Sequence, residues 1–102
     1  MSSRQQAAQD EYDKTLQVAR DKFRKVRQAA ENEYIKARQV ARAKYIKAGM
    51  PVPDEYEKAI LDAQDECYRV VQAAQDEYDK VYKAAWEKYI KALQAAQNEY
   101  DK

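Results

Sequence analysis

The sequence predicts an all-α protein, an antiparallel two-helix hairpin with 11-residue repeats that dimerises into a four-helix bundle. Three observations support this prediction. Aromatic residues recur every eleven positions, strong helix formers are abundant, and the only glycine and both prolines lie together near the middle of the chain. A composition with 36% charged residues is typical of long helices and coiled coils. No alternating run of β-branched residues and no Asn-Gly turn indicates a strand.

The first helix is predicted from about residue 3 to about residue 48. Ser2 or Ser3 can cap its start, because each has a glutamine three positions later. No glycine or proline interrupts the stretch that follows, in which Ala, Gln, Lys, Arg and Glu predominate. The sequence therefore predicts one unbroken helix of roughly 70 Å at 1.5 Å per residue.

A loop is predicted over residues 49–53, and a second helix from about residue 54 to about residue 101. Gly49 suits the left-handed position after a helix, and two prolines follow it closely. Asp54 and Glu57 have the spacing of a capping box, with Pro53 at the first helical position as the alternative start. Such a short connection favours antiparallel neighbours within one domain, residues 1–102.

One column of residues at eleven-residue spacing runs through almost the whole chain, and eight of its nine members are aromatic. The members are Tyr12, Phe23, Tyr34, Tyr45, Tyr56, Cys67, Tyr78, Tyr89 and Tyr100. A column of small residues lies three positions after them, and an alanine column seven positions after them. This spacing places all three columns on one helical stripe. We expect the aromatic column to form the helix-packing interface.

Eleven residues in three turns give 3.67 residues per turn, which predicts nearly straight helices or a slight right-handed supercoil. In this period the chain resembles right-handed hendecad coiled coils, such as the tetrabrachion stalk and parametrically designed untwisted bundles. The tyrosine column, the alanine column and the hairpin loop depart from that stalk, which is a parallel assembly with aliphatic seam residues. Together with the regular units, the resemblance implies a designed helical hairpin, with Arg27, Arg38 and Cys67 as irregularities.

Folding about residues 50 and 51 brings column members level when their numbers sum to 101. The level pairs are Tyr45–Tyr56, Tyr34–Cys67, Phe23–Tyr78 and Tyr12–Tyr89. Since Cys67 alone is not aromatic, we predict a small buried residue that makes room for Tyr34 or Tyr68. A labelling site or an intersubunit disulfide is the alternative for this thiol.

The two halves of the chain carry opposite charge. Residues 1–50 hold twelve Lys and Arg against six Asp and Glu, a net charge of +6. Residues 51–102 hold seven against twelve, a net charge of −5. We expect Arg27 and Arg38 to reach acids of the other helix such as Glu77 and Glu66. Within the helices, the predicted i,i+4 ion pairs are Asp10–Lys14, Asp21–Lys25, Asp76–Lys80 and Glu87–Lys91.

Several apolar residues lie just off the seam and would stay exposed in an isolated hairpin. They are Ile35, Ile46, Tyr68, Trp86 and Ile90. Because two helices alone rarely bury a sufficient core, the sequence predicts a homo-oligomer, a dimer of hairpins.

The predicted function is structural, a self-assembling coiled coil without enzymatic activity. The chain has no histidine and no glycine-rich phosphate loop, so no catalytic, metal, cofactor-binding or small-molecule substrate residues are predicted. A natural coiled-coil adaptor that binds a partner helix is the alternative.

Surface binding to nucleic acid or membrane is the less favoured reading. The net charge is only +1, and the basic first helix can pair with the acidic second one. The period is also similar to that of synuclein, exchangeable apolipoproteins and late-embryogenesis-abundant proteins, but the residue pattern differs. No targeting signal is visible, so the expected location is cytoplasmic, or a recombinant host if the chain is synthetic.

Overall fold

The computed structural model describes residues 3–100, and of Tyr100 only the backbone. Two helices, α1 (Ser3–Tyr45) and α2 (Asp54–Tyr100), pack against each other as a hairpin. No strand occurs among these residues, so the prediction of an all-α hairpin is confirmed. Ser2, one of the two expected caps, and residue 101, the expected end of the second helix, lie outside the described residues. Ser3, the other expected cap, is the first helical residue.

Helix α1 ends at Tyr45, three residues before the predicted boundary. One further helical hydrogen bond, from the Ile46 amide to the Arg42 carbonyl (3.0 Å), closes its last turn. The chain then turns sharply, with the Met50 amide 3.1 Å from the Lys47 carbonyl. Gly49 has a φ of 77°, the left-handed conformation that glycine adopts without steric cost. This turn includes residues 47 and 48, which the sequence predicts to be helical.

Helix α2 begins one residue after a proline that serves as its N-cap. The Pro53 carbonyl accepts a hydrogen bond from the Tyr56 amide at 3.1 Å. Asp54 is therefore the first helical residue rather than the cap that the capping-box spacing predicted. Its first turn contains Asp54, Glu55 and Glu57, whose negative charges favour the positive end of the helix dipole.

Hydrogen bonds from glutamine amides to carboxylate or amide oxygens, rather than most of the expected ion pairs, join successive turns on the helix surfaces. In each pair a glutamine Nε2 donates to an Asp or Asn four positions later at 2.9–3.2 Å: Gln6–Asp10, Gln9–Asp13, Gln17–Asp21, Gln28–Asn32 and Gln75–Asp79. Asp10 and Asp21 thus bind the glutamine of the preceding turn instead of Lys14 and Lys25. Lys80 pairs with Glu77 at 3.8 Å.

The contacts divide the chain into two compact units. We call residues 1–23 with 75–102 the open-end unit, of which the structure describes 3–23 and 75–100. We call residues 24–74, which include the connection between the helices, the loop-end unit. Each unit contains one segment of α1 and one segment of α2, and therefore has its own contacts between the helices.

In the described part of the chain, buried residues occur on α1 alone. They are Leu16, Ala19, Ala30 and Ala41, with exposures of 5–8%. Three of them belong to the predicted alanine column, whose small side chains allow close approach of the other helix. No described helix is long and apolar enough to cross a membrane.

Candidate helix-packing interface

Four members of the aromatic column form ring contacts between the two helices. The eight members from Tyr12 to Tyr89 are all half-buried, whereas the side chain of Tyr100 lies outside the described residues. Half-burial means that each of these side chains keeps part of its surface against protein and part in contact with solvent. This suits tyrosine, because its apolar ring can pack while its hydroxyl reaches a polar partner.

In the open-end unit, rings from both helices meet in one aromatic cluster. Tyr12 stacks on Tyr89 with ring centroids 5.1 Å apart and planes inclined by 29°. Phe23 lies beside Tyr78 at 6.2 Å. Both contacts join residues that the level pairing predicted. At these separations, ring pairs stabilise a fold by about 0.5–1.5 kcal/mol beyond their burial.

Two residues outside the column complete the open-end aromatic cluster. The Trp86 ring meets Tyr12 edge-on at 5.9 Å and lies 5.9 Å from Tyr89. Tyr82 lies 6.4 Å from Tyr78. The sequence placed Trp86 off the seam, and it is 46% exposed, yet it packs on rings of both helices. Its position three residues before Tyr89, on the same helix face, is the signal that could have revealed this contact.

Polar side chains of the opposite helix bind the tyrosine hydroxyls. The Tyr89 hydroxyl donates to Gln9 Oε1 at 2.8 Å, and Arg20 Nε donates to the Tyr78 hydroxyl at 3.4 Å. The bond to Tyr78 raises the pKa of Arg20. These bonds fix the rings in register, since each joins one residue of α1 to one of α2. Nothing in the repeat pattern singled out Gln9 or Arg20 for this role.

Tyr12 differs electrostatically from an ordinary surface tyrosine. Partial burial raises the pKa of its hydroxyl, and the neighbouring Tyr82 hydroxyl raises it further. Negative charge that develops on Tyr78 or Asp13 acts in the same direction. The folded cluster therefore disfavours the phenolate form of Tyr12.

In the loop-end unit the packing is looser. A cavity of about 470 Å³ lies between the helices, lined by Val26, Ala30, Ala63 and Val70 among others, with Tyr34 and Cys67 at its wall. The Tyr34 hydroxyl accepts a hydrogen bond from Gln64 Nε2 at 3.2 Å. Cys67 is half-buried, so the prediction of a buried cysteine is wrong. The cavity beside Cys67 leaves its side chain partly accessible.

The expected level contact between Tyr45 and Tyr56 does not form as a ring pair among the described residues. Lys44 Nζ lies 5.2 Å from the Tyr45 ring centroid instead. Tyr56 lines two recesses on one face of the loop-end unit.

Arg38 does not form the predicted ion pair with Glu66 in the described structure. Its guanidinium carbon lies 5.7 Å from the Tyr34 ring centroid, within range of a cation–π interaction. Arg27 Nε lies 3.8 Å from Glu31 Oε1 of its own helix. Tyr34 lies one turn before Arg38 on α1, so the Arg38 guanidinium has a partner on its own helix.

Ion pairs between the helices occur in the open-end unit. Lys88 Nζ lies 2.5 Å from Glu11 Oε1, and Arg4 pairs with Glu99. In the loop-end unit, by contrast, the ion pairs between described residues join positions on the same helix, Arg27–Glu31 and Lys36–Glu33. The opposite charges of the two helices therefore remain largely separated across this unit.

A second cavity, of about 300 Å³, lies in the open-end unit. Its lining combines four alanines, Val81 and Thr15 with Tyr12, Tyr89 and the charged Glu11 and Lys88. Among residues 3–100, no group of three or more Cys, Asp or Glu side chains has the geometry of a metal site. A comparison with known protein families, characterised proteins and solved structures found no significant match to this chain.

Proposed function

We propose that the chain is a structural protein in which two copies of the hairpin assemble into a four-helix bundle. The observation that supports this is the distribution of burial. The four buried residues found between residues 3 and 100 are one leucine and three alanines, all on α1. So small a core stabilises a two-helix unit poorly. A second copy would bury the apolar surface that the hairpin leaves in contact with water.

Each unit has such a surface. The loop-end unit exposes Ile35, Leu61 and Tyr68, with Tyr68 68% accessible. The open-end unit exposes Tyr82 and Trp86. Ile46 and Ile90, also expected to be exposed, are half-buried. Large apolar side chains that cluster on one surface typically mark an interaction site.

We further infer that the helices of this assembly are nearly straight or coil slightly to the right, as the eleven-residue period favours. The regularity of the units supports a designed origin. The absence of histidine from the sequence supports a role without catalysis. A cytoplasmic location stays a prediction.

Sedimentation equilibrium combined with circular dichroism tests the assembly. We expect a helical protein with twice the chain mass of 11.9 kDa and a Tm that rises with protein concentration. Replacing the exposed ring in Tyr68→Gln should weaken the dimer, whereas Arg69→Gln, at the next position on the charged outer face, should not. A helical species with the mass of one chain would contradict the proposal and favour an adaptor that binds a partner helix of different sequence.

A further inference from the structure

We propose that the two copies dock through one face of the loop-end unit, with α1 of each copy against α2 of the other and both loops at the same end. This inference rests on the proposed function, because it specifies how the dimer forms. The face is defined by Arg38 and Arg42 on α1 and by Glu57, Leu61 and Asp65 on α2. We call it the docking face.

Two recesses show that these side chains share a surface. One, of about 230 Å³, is lined by Arg38, Arg42, Ile35, Gln39 and Tyr56. The other, of about 510 Å³, joins Arg38 to Tyr56, Glu57 and Leu61. Asp65 follows Leu61 by four residues and therefore lies on the same side of α2. Exposed apolar groups thus share one face with charged groups that have no opposite charge beside them among residues 3–100.

The charges of the docking face are separated by helix. The α1 segment 24–45 holds seven Lys and Arg against two Glu, and the α2 segment 54–74 holds six Asp and Glu against two basic residues. The ion pairs of Arg27 with Glu31 and of Lys36 with Glu33 lie within α1. In the described part of the chain, Arg38 and Arg42 have no carboxylate within ion-pairing distance, and Glu57 and Asp65 have no basic group within that distance. These groups are available to a second copy.

A two-fold axis parallel to the helices makes this face self-complementary. It places the basic α1 of each copy over the acidic α2 of the other, with the two loops at the same end. A two-fold axis across the helices would instead stack α1 on α1 and α2 on α2, which sets like charges against each other. Every contact in an isologous interface occurs twice, so the electrostatic difference between the two arrangements is doubled. Electrostatic complementarity of this kind fixes register and orientation.

The parallel-axis arrangement also brings particular groups level. In the loop-end unit, residues whose numbers sum to about 100 are level, as the hydrogen bond from Gln64 Nε2 to the Tyr34 hydroxyl shows. With both loops at one end, the same relation holds between α1 of one copy and α2 of the other. Arg38 then lies near Asp65 of the second copy, and Arg42 near Glu57. The exposed Leu61 of each copy can enter the recess beside Ile35 and Tyr56.

A charge-swap experiment tests this pairing. The first variant carries Arg38→Glu and Arg42→Glu, the second Glu57→Lys and Asp65→Lys. Each alone should dimerise roughly 10- to 100-fold more weakly than the parent chain, and an equimolar mixture should recover a heterodimer of near-parent affinity. The matched control, Lys25→Glu with Lys36→Glu, makes the same charge change on the outer face of α1 and should dimerise like the parent.

Orientation is measured on a protein that keeps the docking charges. Spin labels at Met50→Cys, in a Cys67→Ser background, should lie close together in the dimer. Loops at opposite ends would separate them by about 70 Å, the length of the helices. A long distance, or charge-swap variants that behave like the control, would overturn the inference while leaving a dimer intact. A parent chain that sediments as a monomer would instead refute the proposed function. If a charge reversal unfolds the chain, Arg38→Gln with Arg42→Gln provides the same comparison at lower cost to folding.

Discussion

The ring of Tyr12 on α1 stacks on the ring of Tyr89 on α2, with centroids 5.1 Å apart. Trp86 covers one edge of this pair. Truncation in Tyr12→Ala should therefore lower the free energy of unfolding by roughly 2 kcal/mol, less than for a fully buried ring because Tyr12 is half-buried. Chemical denaturation at a fixed protein concentration measures this. Tyr68→Phe, which keeps an exposed ring, is expected to cost less than about 0.5 kcal/mol; equal losses would show that the stack contributes nothing.

The raised pKa of Tyr12 predicts a loss of stability in alkali. The folded protein holds this proton more tightly than the unfolded chain, so its contribution to stability is complete below the ordinary tyrosine pKa of about 10. That contribution disappears as the pH rises through the higher folded pKa. Thermal melts between pH 8 and pH 11 should show a smaller decrease in Tm for Tyr12→Phe than for the parent chain. A decrease identical in the two proteins would argue against this role of Tyr12.

The buried alanines set the distance between the helices. Ala41 is 5% exposed, so Ala41→Leu must force the helices apart and should destabilise the protein by about 1–3 kcal/mol. The exposed Ala43, two residues away on α1, is the control. Ala43→Leu should change stability by less than about 0.5 kcal/mol. If both variants unfold at the same denaturant concentration, the packing of Ala41 is not as close as described.

Substitutions at Gly49 test how much the backbone conformation of the loop contributes to stability. Its φ is 77°, and a Cβ added there would meet no atom within 4 Å. Gly49→Ala should therefore cost only the strain of a left-handed residue, about 1 kcal/mol. Asn tolerates this conformation better, so Gly49→Asn should cost less. Urea denaturation can separate the two variants. A loss of several kcal/mol for Gly49→Ala would indicate a steric clash that the open surroundings of Gly49 do not contain.

The repeat allowed the helices, the connection and the level pairs of the open-end unit to be predicted, because each depends on spacing along the chain. The ends of the helices depended on hydrogen bonds that spacing does not encode. The Met50–Lys47 bond shortened α1, and the Pro53 carbonyl replaced Asp54 as cap. The sequence pattern also did not predict the partners of long polar side chains. Arg38 lies against the Tyr34 ring, and Gln9 accepts a hydrogen bond from the Tyr89 hydroxyl.

Dissolved salt should weaken ion pairs of this protein more than it weakens the glutamine hydrogen bonds along the helix surfaces. Five of these bonds link successive turns through a neutral amide donor, which dissolved ions screen little. In the proposed dimer, contacts between Arg38 or Arg42 and a carboxylate of the second copy would involve two full charges, which dissolved ions screen more strongly. Concentrated salt should therefore weaken the association of the proposed copies more than it weakens the glutamine bonds along each helix.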